Sequence, residues 1–60
     1  MITEKIIEKA VRITTCNYAS WRDGDISVLR DNFKENFKLN DNEIEDLIKF
    51  SINEFKLNQT

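Results

Sequence analysis

Leu39-Asn40-Asp41-Asn42-Glu43-Ile44 is a complete helix-start signal, and the fold follows from it. An asparagine at an N-cap accepts a hydrogen bond from a backbone N–H of the first turn. A glutamate three residues on reaches back to the cap's own N–H. Asn40 and Glu43 stand at that spacing, and Leu39 and Ile44 occupy the two positions of a hydrophobic staple. Asp41, Glu43, Glu45 and Asp46 crowd the end where the helix dipole favours negative charge. Beyond the cap, Ile44, Leu47, Ile48, Ser51, Ile52 and Phe55 recur at helical spacing on one face. The pattern predicts a helix over about 41–57 with an apolar side that the first forty residues must cover.

Two more helices supply that cover. Thr3 is placed to cap the first, with Ile2 and Ile7 as its staple. At 100° per residue, Ile6, Ile7, Ala10, Val11, Thr14, Asn17, Tyr18 and Trp21 share one broad face. Lys5, Lys9, Arg12 and Cys16 line the opposite side. This predicts a helix over about 3–20, with a bend expected in Ile13-Thr14-Thr15-Cys16-Asn17, a run of β-branched and short polar residues. Gly24, between Asp23 and Asp25, is the clear breaker. A second helix over about 27–38, capped by Ser27 or Asp25, carries the stripe Ile26, Leu29, Phe33 and Phe37. The expected fold is therefore all-α: a single domain of three helices, packed as a small bundle or at steep angles.

Length and composition bound the function. Sixty residues make one domain at most, with a core of marginal size. One cysteine forms no internal disulfide, and without histidine there is no Cys/His zinc set. No apolar run approaches the roughly 20 residues of a membrane span, and no signal-peptide pattern opens the sequence. A lone thiol suits a reducing compartment, so a cytoplasmic location is expected. Net charge is −2, unevenly spread. Residues 1–40 carry seven Lys/Arg against six Asp/Glu, and residues 41–60 carry two against five, giving +1 and −3.

The motifs that suggest chemistry fall short of it. Asp23-Gly24-Asp25-Ile26-Ser27 matches the middle of an EF-hand loop, but Ala19 and Trp21 stand at its first and third positions and Arg30 at its twelfth. Two carboxylates and an arginine do not make a seven-oxygen site, so the stretch reads as a turn. As a catalytic pair, Asp23 and Asp25 lack both a cleft and a histidine. Cys16 lies near Lys9 and Arg12, whose charges favour a thiolate, but nothing supplies a base or an oxyanion hole. Tyr18, Trp21 and Phe33 are spaced as core, with Trp21 closing the end of the bundle. No enzyme activity, metal, cofactor or small-molecule substrate is expected.

Two resemblances attach to the capping string. The Asp-Gly-Asp-Ile-Ser turn, the Phe-rich helix and Phe37–Ile44 together distantly resemble part of the TerB-type tellurite-resistance helical domains, over about residues 19–50. Those domains are longer and carry an acid near the start of the second helix, where this chain has Arg30. Leu39–Ile44 is also similar to a helix start in Hha-type nucleoid regulators. Both likenesses consist of capping chemistry common to many helical proteins, and the chain is assigned to neither family.

What remains is surface. Val28, Phe50 and Leu57 fall outside the inward faces, and Phe50 and Leu57 align seven residues apart on a second side of the last helix. The expected function is a non-catalytic protein–protein interaction module, a small regulator, adaptor or inhibitor. Phe50, Leu57, Glu43 and Asp46 are its contact residues, and its partner is another protein or a second copy. The alternative is a small nucleic-acid-binding or transcriptional regulatory protein. That reading uses the basic rows Lys5-Lys9-Arg12 and Arg30-Lys34-Lys38, but acids are interleaved in both. The acidic start of the last helix would also repel phosphates, so nucleic acid is the less expected partner.

Overall fold

The computed structural model describes residues 2–58 as four α-helices and, among those residues, no strand. They are α1 (Glu4–Cys16), α2 (Tyr18–Arg22), α3 (Ile26–Asn36) and α4 (Asp41–Asn58). The all-α expectation holds, and α3 and α4 correspond to the predicted second and third helices. The predicted first helix is divided in two.

Helix α1 starts as its sequence requires. Thr3 Oγ1 accepts the Ile6 N–H at 3.3 Å, and Ile2 and Ile7 both pack against the core. Its last turns carry three side chains that bond back to the carbonyl four residues earlier. The Thr14 hydroxyl donates to Ala10 O (2.8 Å), the Thr15 hydroxyl to Val11 O (3.0 Å) and Asn17 Nδ2 to Ile13 O (2.9 Å). Such bonds compete with the helical ladder and bend it. Asn17 leaves the helical region at φ −109°, ψ 22°, and the chain restarts as α2. Trp21 then folds back, and its indole Nε1–H donates to Thr14 O at 2.7 Å, a buried bond across the break. Trp21 is 8% exposed and closes this end of the molecule, as its position in the sequence suggests.

Helix α2 ends in a Schellman motif. Asp25 N–H bonds to Ser20 O (3.1 Å) and Gly24 N–H to Trp21 O (3.0 Å), with Gly24 at φ +100°. That conformation costs an L-residue with a side chain about 1–2 kcal/mol, which is why glycine belongs there. Asp25 is the N-cap of α3, but its carboxylate accepts no backbone N–H of the first turn. It accepts from the Ser27 hydroxyl instead, so neither predicted cap side chain satisfies the free N–H groups. Helix α3 stops at Asn36, two residues before the expected end, because Phe37 turns extended (φ −128°, ψ 138°). That turn leaves Phe37 buried and leads the chain into the next cap.

The capping box is formed in full. Asn40 Oδ1 accepts the Glu43 N–H (2.8 Å), and Glu43 Oε1 accepts the Asn40 N–H (3.3 Å). Leu39 packs on the core, and Ile44 is completely buried.

Helix α4 is the surface on which the rest assembles. Helix α1 packs on it most extensively, while α3 lies along the side bearing Asp41 and Glu45. The core holds Ala10, Trp21, Leu29, Phe33, Phe37, Ile44, Leu47 and Ile48. Thr14 and Ser51 are also fully buried, and Ser51 Oγ has no hydrogen-bond partner among the described residues. Burying a side chain the size of Leu, Ile or Phe stabilises by about 1.5–3 kcal/mol. With so few of them against the chain entropy of sixty residues, each contact is a sizeable part of the total.

Candidate interaction site

Helix α4 has an outer side as well as an inner one. Phe50 is 43% exposed and Leu57 58% exposed; of the other two expected contact residues, Asp46 is exposed and Glu43 half-buried. Seven residues is about two helical turns, which stacks the two side chains along one stripe. Three carboxylates border it. Glu43 stands seven residues before Phe50, Asp46 four before, and Glu54 four after. At 100° per residue these positions fall within about 40° of Phe50 on the helix wheel. The cations of α4, Lys49 and Lys56, fall about 100° to the side of Phe50 and Leu57 respectively. The outer face is therefore an apolar stripe bordered by Glu43, Asp46 and Glu54. Glu43 also works in the capping box, so the turn that starts the helix fixes the upper end of this face.

The aromatic residues divide differently from the expected set. Tyr18 stacks on Phe55 (centroids 5.0 Å, 28°), and Trp21 meets both rings edge-on at 5.2 and 5.4 Å. Phe33 is not part of this group. It pairs with Phe37 at 5.7 Å in the centre of the core. Phe55 comes from α4, and no local pattern near Tyr18 or Trp21 announces it. Tyr18 remains 38% exposed, with the Arg22 guanidinium 5.4 Å over its ring. Val28 is half-buried and adds nothing to the α4 stripe.

The two basic rows have different fates. In α3, Arg30 binds Glu45 through both Nε (2.7 Å) and Nη2, and Lys34 pairs with Asp41 at 3.1 Å. These pairs line a small cleft of about 220 Å³ between α3 and α4, where the charges are matched internally. In α1, Lys5, Lys9 and Arg12 make no ion pair among the described residues. With Glu8, Ile13, Cys16, Asn17 and Asn32 they line an open groove of about 620 Å³. Cys16 is exposed and lies with the three cations, as the helical wheel predicts.

The turn carboxylates are engaged locally. Asp23 pairs with Arg22 at 3.6 Å and Asp25 with Ser27, and no group of three metal-ligating side chains occurs among the described residues. No described helix is long and apolar enough to cross a membrane. No protein-family model, curated protein or solved structure matches this chain.

Proposed function

We propose that this chain is a small, non-catalytic protein–protein interaction module, a regulator, adaptor or inhibitor acting in the cytoplasm. It docks the outer face of α4 onto a partner that offers positive charge around an apolar strip. One observation carries the reading: Phe50 and Leu57 are exposed on a stripe whose neighbours Glu43, Asp46 and Glu54 are all acidic. An aromatic anchor in a charged rim is the usual anatomy of an interface, where the anchor supplies affinity and the rim supplies orientation and speed of encounter. The pairing of Arg30 and Lys34 with Glu45 and Asp41 engages two of the three cations in one basic row, which supports this reading over the nucleic-acid one.

The test uses a synthetic amphipathic helix with leucines on one side and lysines flanking them, and a scrambled peptide of the same composition. Titrated into isotopically labelled protein, the ordered peptide should shift backbone amides between Glu43 and Leu57, and the scrambled one should not. Phe50→Ala should weaken the binding about tenfold or more, the size of a hot-spot loss. Shifts centred elsewhere, or an equal response to both peptides, would refute the assignment.

A further inference from the structure

The partner required by the α4 face must bring cations on a helical repeat, and the chain itself carries such a surface. We propose that the groove lined by Lys5, Lys9 and Arg12 receives the α4 outer face of a second copy, so that the chain associates head to tail. The inference rests on the reading of α4 as an interaction face and names its occupant.

Three observations support it. First, charge is left over on both sides. Lys5, Lys9 and Arg12 have no ion pair among the described residues, and Glu8 is the one acid lining their groove. Asp46 and Glu54 make none of the ion pairs that tie α3 to α4. Second, the rows match in pitch. Lys5, Lys9 and Arg12 run at i, i+4, i+7, and Asp46, Phe50 and Glu54 at i, i+4, i+8. At 1.5 Å per residue the rows are about 10 and 12 Å long. Laid side by side, the two carboxylates fall near Lys5 and Arg12, with Phe50 over Lys9. The Lys9 stem and ammonium suit an aromatic ring, and Lys9 already lies 6.0 Å from the Phe37 ring of its own chain.

Third, the alternative self-pairing is disfavoured. Two α4 faces related by a twofold axis at Phe50 would set Asp46 against Glu54 of the other copy, like charge on like. A contact between two different patches is heterologous and extends into a ring or an open chain. Its strength depends on exposed charges, so it weakens with added salt.

Two variants test this. Lys5→Gln/Lys9→Gln/Arg12→Gln removes the groove's charge, and Asp46→Asn/Phe50→Ala/Glu54→Gln removes the face. Circular dichroism verifies that both keep the fold. In sedimentation velocity at low salt, the wild type should gain mass with concentration and lose it on adding salt. Each variant alone should stay monomeric. Their mixture should form a complex of two chains that grows no further, because one intact groove and one intact face remain. A wild type that stays monomeric, a variant that self-associates alone, or an inert mixture would overturn the proposal. If the wild type is monomeric and the lysine-flanked peptide still shifts the α4 amides, self-docking fails while the interface assignment stands, with a foreign basic partner as occupant.

Discussion

Three joints link the four helices, and the one between α3 and α4 differs in kind from the one between α1 and α2. Between α3 and α4, the turn is held by neighbours in sequence: Asn40 and Glu43 exchange hydrogen bonds across three residues. Between α1 and α2, the Asn17 backbone carries the chain from one helix to the next, while side chains compete for the carbonyls of α1. Thr14, Thr15 and Asn17 turn to carbonyls behind them, and Trp21 then binds Thr14 O from seven residues away. The α3–α4 joint combines this local chemistry with the burial of Phe37 and the packing of Leu39 on the core. The α1–α2 joint is covered by Tyr18, Trp21 and Phe55, which gather over it. A capped turn is a property of a segment, whereas a tied break is a property of the assembled molecule.

Three substitutions press on that contrast. The largest effect is expected at the tied break. Trp21→Phe keeps an aromatic ring but leaves Thr14 O buried without its donor, and should cost about 2 kcal/mol in urea denaturation followed by circular dichroism. A smaller effect is expected at the capped turn. Asn40→Ala should cost about 1 kcal/mol, the usual worth of an N-cap side chain. If Trp21→Phe proves no worse than Asn40→Ala, the indole bond does not hold the break between α1 and α2, and the contrast collapses. The smallest effect is expected where neither kind of tie exists. Ser51 is fully buried with an unpartnered hydroxyl, so Ser51→Ala removes a desolvated polar group and improves helix propensity. It should leave the midpoint unchanged or raise stability by up to about 1 kcal/mol, and a marked loss would reveal a role for that hydroxyl.

The same contrast explains what could be read before the fold was known. Helix α4 was legible to within a residue because its start is written in capping residues and its face in unbroken spacing. Helix α3 was legible in its stripe but not in its ends. Asp25 and Ser27 satisfy each other instead of the helix, and Phe37 turns outward from the ladder to reach the core. The weakness at Ile13–Asn17 was visible as poor helix formers, but whether it bends or breaks was decided by Trp21, through a bond no periodicity encodes. Phe50 and Leu57 stand out in the sequence as apolar positions left off the inward face, a signal that gives exposure but not a partner. The grouping of Lys5, Lys9, Arg12 and Cys16 also follows from the wheel. That α3 leaves an open groove beside them, and that its own cations are neutralised by α4, follows only from packing.

The chain holds a single tryptophan, and it sits in the tied break with one ring from α2 and one from α4 against it. Light emitted by that indole therefore reports one joint, not the whole molecule. Its intrinsic fluorescence follows the meeting of α1, α2 and α4 with no dye attached, and leaves the Asn40 turn dark.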